Sequence, residues 1–191
     1  MPNVFTKEGI VEARPDIYAK RDTCRNCQKR GLADFLSLGD QYLPRFPKTP
    51  DPSLPKAPLT LAACAYCGLL QLRHTVDPNL LFKDYWYRSS INDSMKTALQ
   101  DLVKDAIRHR PYGTWLDIGA NDGYLLSCVP AGYTKIACEP AKDFHDDLRR
   151  LADHVVPDYF SGAAVGRKCQ VITSAAMFYD LDDPGKMVRD I

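Results

Sequence analysis

The chain has 191 residues, 45 % of them hydrophobic and 26 % charged, which is enough to bury a core in one or two ordinary domains and excludes a disordered or collagen-like chain. Its 25 lysines and arginines nearly balance 24 aspartates and glutamates, for a net charge of +1, so no broad positive field is available to hold a nucleic acid. No run of about 18 apolar residues occurs, and no membrane-spanning helix is expected.

Met1–Thr23 carries charges every few residues and lacks the apolar stretch of a secretory signal, so a cytoplasmic protein is expected. Two Cys-x-x-Cys pairs follow, Cys24/Cys27 and Cys64/Cys67, with 36 residues between them. This spacing lets two tight turns close a tetrahedron of thiolates around zinc, and four sulfurs leave no open position for water, so the metal is structural. The competing reading is a pair of redox sites or four buried thiols, but neither pair opens a helix of a thioredoxin-like βαβ unit. Gly68 can supply the left-handed turn that such a site needs. Between the pairs, six of the 14 prolines fall within Pro44–Pro58, a stretch expected to be an extended loop because proline lacks an N–H and fixes φ. His74 is held as a reserve ligand. His109, His145 and His154 are scattered without ligand spacing, and Cys128, Cys138 and Cys169 sit in apolar runs where cysteine packs as a small core residue.

Apolar residues recur at helical spacing from Asn92 to His109, with Asn92 or Asp93 as cap and Pro111 beyond the end. Strand-sized runs then alternate with mixed segments at Thr114–Ile118, Thr134–Cys138, His154–Val156 and Cys169–Thr173, which predicts a parallel α/β sheet with crossover helices. The expected division is a zinc-binding module over residues 1–91 with its proline-rich loop, a linking helix over 92–110, and an α/β sheet over 111–191. Asp183 before Pro184 predicts a last helix.

The run Trp115-Leu-Asp117-Ile-Gly119-Ala-Asn121-Asp-Gly123-Tyr-Leu-Leu126 is a strand, a glycine turn and a helix start, the pattern of a nucleotide-type site. A dinucleotide fingerprint requires glycine where Asn121 stands and glycine or alanine where Tyr124 stands, so that reading fails. An acid two positions before the first glycine, Asp117, suits a ligand that carries an amine and a sulfonium, as S-adenosylmethionine does. Glu139 ends the second strand 20 residues after Gly119, where a carboxylate can accept ribose hydroxyls. The bland alternative is a tight turn at Gly119 and Gly123 and a capping role for Glu139. Asp158 and Tyr159 end the third strand and are candidates for adenine, with packing as the alternative, and Ser174 ends the fourth. Tyr179 and Asp180 lie near the mouth of the site, as substrate contacts or as a turn before a helix cap.

These residues resemble the three-part sugar C-methyltransferases, which have an N-terminal zinc-binding domain, a class I methyltransferase domain and a C-terminal domain. The resemblance rests on Cys24-Arg-Asn-Cys27, Leu38-Gly-Asp-Gln41, Cys64-Ala-Tyr-Cys-Gly-Leu-Leu-Gln-Leu72, Tyr85-Trp-Tyr-Arg-Ser-Ser90, the Gly119–Gly123 loop and Met177-Phe-Tyr-Asp-Leu181. It implies that Tyr85 and Tyr87 contact a nucleotide sugar, although the residues alone read equally as packing aromatics. It also implies proton removal beside a sugar ketone and attack of the enolate carbon on the cofactor methyl. The Glu-His base of that family has no match here, which leaves Tyr179 and Asp180 as local stand-ins and the catalytic residues unknown. Residues 114–191 number 78, enough for four βα units, so the chain reads as an N-terminal portion completed by further chain or by a second polypeptide. The expected architecture is a small zinc-ribbon-like module, a linking helix and a partial Rossmann-like class I methyltransferase sheet. The rival readings are a non-catalytic zinc-containing scaffold derived from such an enzyme and a zinc-ribbon nucleic-acid binder, the latter opposed by the absence of a basic stripe.

Overall fold

The computed structural model describes residues 16–44 and 47–191, together with the backbone of Val4–Thr6 and Gly9–Val11; part of the N-terminal segment read for a signal, residues 1–3, 7–8 and 12–15, lies outside them. The chain divides into two compact units, Met1–Leu81 and Phe82–Ile191. The division falls well before the expected boundaries at 91 and 110.

The first unit is built from short antiparallel pieces. Strands β1 (Val4–Thr6) and β2 (Gly9–Val11) pair with each other, as do β3 (Tyr18–Lys20) and β7 (His74–Val76). Strands β4 (Leu32–Tyr42), β5 (Lys56–Cys64) and β6 (Leu70–Leu72) form a three-stranded sheet in that order, and helix α1 (Pro78–Phe82) follows. The proline-rich stretch is shorter than expected, because β5 begins at Lys56 and contains Pro58 opposite Asp40. Proline is tolerated there because β6 pairs only with Leu61–Ala63, so Pro58 has one strand beside it and its missing N–H interrupts no second ladder. A small cluster of Ile17, Leu43 and Ala57, with Tyr18, Val76, Leu80 and Leu81 against it, is the hydrophobic core of this unit among the described residues.

The second unit opens with helix α2 (Asp93–His109), capped by Asn92, whose Oδ1 accepts the N–H groups of Ser94 and Met95 at 2.9 and 3.3 Å. Four parallel strands follow: β8 (Gly113–Ile118), β9 (Tyr133–Cys138), β10 (His154–Val156) and β11 (Val171–Thr173). Their spatial order is β10-β9-β8-β11, so the chain reverses direction across the sheet between β8 and β11. Helices α3 (Tyr124–Cys128), α4 (His145–Leu151), α5 (Gly162–Val165) and α6 (Pro184–Asp190) complete the layers.

Alternation along β8 sorts its side chains onto the two faces of the sheet. Trp115 joins Tyr133, Ala137, Leu125, Leu126, Phe144 and Leu148 on one face, where Leu99 and Val103 of α2 also pack. Leu116 and Ile118 join Ile136, Cys138 and Met187 on the other. Helix α2 is therefore part of this layer rather than a separate linker, which is why the division between units falls ahead of it. In an open parallel sheet, ligands bind beyond the carboxyl ends of the strands at the point of reversal, here the ends of β8 and β11.

Candidate functional sites

In the first unit, the Sγ atoms of Cys24, Cys27, Cys64 and Cys67 all lie within 4.8 Å of one another. Cys24 and Cys67 are 3.6 Å apart, as are Cys27 and Cys64. Tetrahedral zinc with bonds of about 2.3 Å sets sulfurs roughly 3.8 Å apart, so the donor set fits the metal. The short pairs run between the two turns and not within either Cys-x-x-Cys, contrary to the redox reading. The turns match bond for bond: Gln28 and Gly68 donate to the carbonyls of Cys24 and Cys64, both at 3.0 Å, and Cys24 and Cys64 donate to Lys29 and Leu69, also at 3.0 Å. Gly68 has φ +72°, as expected; its counterpart Gln28 has φ +59°, a strained position that only the turn requires. Burial raises the Cys24 thiol, but the N–H groups of Cys27 and Asn26 and the neighbouring thiols lower it further, to about 6. Cys27 moves the other way: the Lys29 N–H lowers it, but burial and the neighbouring thiols outweigh that bond and raise it to about 11. Without a cation the four sulfurs therefore cannot all ionise, and a bound metal removes that repulsion.

Two arginines fasten this cluster to the strands. Arg25, inside the first turn, donates to Gln71 Oε1 at 3.2 Å and Thr75 Oγ1 at 2.7 Å. Arg73 reaches Asp34 at 2.6 Å and the carbonyls of Arg21 and Leu32. His74 is not in the cysteine cluster; its ring stands edge-on to Tyr18, so its reserve role as a ligand is withdrawn.

In the second unit, the candidate ligand residues gather at the carboxyl ends of the strands. Asp117 is buried near the end of β8, where Thr173 Oγ1 of β11 donates to its Oδ1 at 2.7 Å. The indole N–H of Trp115 donates to the same hydroxyl at 3.0 Å. Since Trp can only donate, the hydroxyl proton is left to point at acceptors, and the carboxylate is held as one. Burial, opposed by this bond and reinforced by the charge of Glu139, raises Asp117 to about 7.

Glu139, also buried, accepts the N–H of Asn121 at 2.7 Å on one oxygen and that of Ala141 at 2.8 Å on the other. Burial raises its pKa, and these two N–H groups act against the rise. Each oxygen keeps an unused lone pair. His145 bonds the Glu139 carbonyl through Nε2 at 2.8 Å, a capping role in keeping with the sequence.

The glycine turn has φ +73° at Gly119, +51° at Asn121 and +79° at Gly123. A Cβ on Gly119 would stand 3.3 Å from Met177 Cγ, the flexible side chain that covers the turn. A Cβ on Gly123 would meet Leu151 at 2.7 Å and Leu148 at 3.0 Å, so Gly123 serves helix packing as well as the turn. Ser174 Oγ is buried with no hydrogen-bond partner, an atom that a polar ligand could satisfy. Asp158 is exposed and accepts the N–H of Tyr159 at 2.8 Å.

The rings of Tyr85 and Tyr87 meet edge-to-face, with centroids 6.5 Å apart. The Tyr85 phenol is raised by burial and by the charges of Asp180, Tyr179, Tyr87 and Glu139, which brings the predicted substrate residues and both stand-ins into one neighbourhood. Tyr179 is exposed, and Asp180 is open to solvent as a whole residue, yet its carboxyl is packed enough for burial to raise it. Cys138 is raised to about 12 by burial, as expected of a core thiol.

Sequence reasoning missed Thr173, and it missed Asp122, Ser89 and Ser90. Ser89 and Ser90 donate their N–H groups to Asn121 Oδ1 and Asp122 Oδ2 at 2.8 and 3.0 Å. Only the Ser-Ser of the aromatic motif hinted at this contact.

Residues 24–82 match the model of the Methyltransf_13 family, described as a zinc binding domain. A C-methyltransferase, NovU of Streptomyces niveus, is 27 % identical over 160 residues, covering 80 % of this chain and 38 % of its own length. The chain thus spans well under half of that relative. Both findings support a methyltransferase lineage with a zinc-binding N-terminal unit. Among the described residues, no helix is long and apolar enough to cross a membrane.

Purified protein should carry one zinc per chain. Chelation should melt the first unit, because metal binding and folding are linked in so small a core; metal analysis combined with thermal unfolding checks this, and a metal-free protein with an unchanged transition contradicts it. Asp117 has a second measurable consequence. Its folded pKa lies above its unfolded value, so its stabilising contribution is complete below about pH 4 and is lost as pH rises through about 7. Asp117→Asn should therefore raise the thermal midpoint at pH 8 and change it little at pH 4.

Proposed function

We propose that the second unit binds S-adenosylmethionine and that the protein methylates a carbon of a nucleotide-linked keto sugar in the cytoplasm. The observation that carries this reading is the pair of buried acids, Asp117 and Glu139, at the ends of adjacent strands on either side of a glycine turn. The order of the four strands, third-second-first-fourth along the chain, supports the reading, since a doubly wound, Rossmann-like sheet of order 3-2-1-4-5-6 begins the same way. A dinucleotide is disfavoured by the side chain at Asn121 and by the two acids, which repel a pyrophosphate.

The residues fit the cofactor in chemical terms. Glu139 has one free lone pair on each oxygen for two ribose hydroxyls, and Asp117 is a buried acceptor suited to an ammonium or sulfonium. Ser174 offers an unsatisfied hydroxyl, and Asp158 and Tyr159 flank the position assigned to adenine. When bound, S-adenosylmethionine supplies an electrophilic methyl group. The acceptor must lose a proton from the carbon beside its ketone, and that enolate carbon then forms the new bond as the sulfonium leaves as a thioether. Tyr85 and Tyr87 are assigned to the sugar nucleotide. Asp180, raised by partial burial, is a better proton acceptor than an ordinary aspartate, and Tyr179 stands beside it. A base on an exposed loop is a poor substitute for a positioned one, so the 191-residue chain alone is expected to bind cofactor without rapid turnover.

Calorimetry should show binding of S-adenosylhomocysteine and none of NAD, with Glu139→Ala weakening the complex by about 1 to 3 kcal/mol. Preferential binding of NAD would contradict the cofactor assignment. Affinity for S-adenosylmethionine should rise between pH 6 and pH 8 as Asp117 ionises, since a cation favours the carboxylate. A radiolabelled methyl assay with nucleotide keto sugars tests the acceptor class, and rapid transfer by the 191-residue chain alone would make Tyr179 and Asp180 catalytic.

A further inference from the structure

The dinucleotide fingerprint places glycine where this chain has Asn121. Asparagine tolerates the left-handed φ of +51° found there, and it adds a side chain with one acceptor and one donor group. Both are used on a single segment. Asn121 Oδ1 accepts the N–H of Ser89 at 2.8 Å, and Nδ2 donates to the carbonyl of Tyr87 at 2.9 Å. The next residue repeats the pattern, Asp122 Oδ2 accepting the N–H of Ser90 at 3.0 Å. Flanking contacts pin the same segment: Arg88 lies 3.3 Å from Asp147 with its guanidinium over the Phe144 ring, and Asp84 pairs with Lys142 at 3.1 Å. The backbone of Asn121 meanwhile donates to Glu139 at 2.7 Å. One residue thus bonds the acid assigned to the ribose and the strap, residues 84–91, that carries Tyr85 and Tyr87.

We infer that Asn121 and Asp122 are positioning residues that tie the aromatic strap to the glycine turn, so that filling the Glu139 site and ordering the acceptor side of the pocket are one coupled event. The tether itself rests on the hydrogen bonds; its meaning as cofactor–acceptor coupling rests on the function proposed above. Such coupling is reciprocal. A ligand that settles the turn strengthens the hold on the strap, and an occupied strap favours the ligand.

Tryptophan fluorescence of the 191-residue chain reads the tether. Of the two tryptophans, Trp86 lies on the strap and is 52 % exposed, whereas Trp115 is fully buried, so acrylamide reports on Trp86. Asn121→Gly removes the tethering side chain and keeps the positive φ. Ser89→Pro removes only the donor on the strap and leaves the glycine turn intact; Arg88, at φ −117° and ψ 129°, already has the extended conformation that a following proline requires, and Ser89 opens a 3₁₀ turn. Both variants should make Trp86 more quenchable. Ser89→Pro, which loses one hydrogen bond, should weaken S-adenosylhomocysteine roughly fivefold, and Asn121→Gly, which loses that bond and the one to the Tyr87 carbonyl, should weaken it at least as much. Wild-type quenching in both variants overturns the tether. Raised quenching with unchanged S-adenosylhomocysteine affinity overturns the coupling. If the wild-type chain binds no S-adenosylhomocysteine, the functional reading fails and quenching alone still decides the tether. Should Asn121→Gly fail to fold, Ser89→Pro decides by the same criteria.

Discussion

The second unit depends on how the Glu139 carboxylate is satisfied. A buried carboxylate is costly unless donors surround it, and here one N–H comes from its own strand end and the other from Asn121 of the neighbouring turn. That second bond shapes the turn after β8, including the left-handed conformation at Asn121. From Asn121 the order passes to the strap before α2. Asp117 is held separately, by a hydroxyl that Trp115 orients, and the charge of Glu139 adds to burial in raising its cost of ionisation. An arrangement that destabilises the empty fold is the kind of exchange of stability for function that the proposed cationic cofactor would use by neutralising it.

The first unit solves a different problem. Its largest described apolar cluster is three buried residues and their neighbours, too little to hold several short strands. Four sulfurs brought together by two matching turns supply the missing cohesion once zinc is bound, and Arg25 and Arg73 carry that order outward to the strands. All three non-glycine residues with positive φ among the described residues, Gln28, Asn121 and Ala176, lie at the metal turn, at the glycine turn or in the loop after β11. Backbone strain of this kind persists where surrounding bonds over-determine it.

Much of the second unit was legible in the sequence, because parallel strands and an amphipathic helix write their period directly into the residues. The four strands fall at the expected apolar runs, with β11 two residues shorter than its run, and Asn92 caps α2. The four cysteines were legible because ligand spacing is local. Strand β4 was not: ten of its eleven residues are exposed, and two register shifts break its alternation. Pro58 in β5 and the left-handed Gln28 run against residue preference and are explained only by their neighbours. The bonds from Asn121 and Asp122 to Ser89 and Ser90 span 32 residues, and the Trp115–Thr173–Asp117 chain joins strands whose adjacency appears only once the sheet is assembled. The apolar stripe of α2 shows that it packs, and the partners it packs against, the Trp115 face of the sheet, appear only in the folded unit.

The central claim is that the two buried acids and the turn between them form a site for S-adenosylmethionine. A crystal structure of the chain grown with S-adenosylhomocysteine tests it most directly. The account predicts density beyond the carboxyl ends of β8 and β9, with the ribose hydroxyls on Glu139, the amino-acid end toward Asp117 and Met177 displaced from Gly119. Ligand bound elsewhere, with Glu139 still engaged only by Asn121 and Ala141, would contradict it.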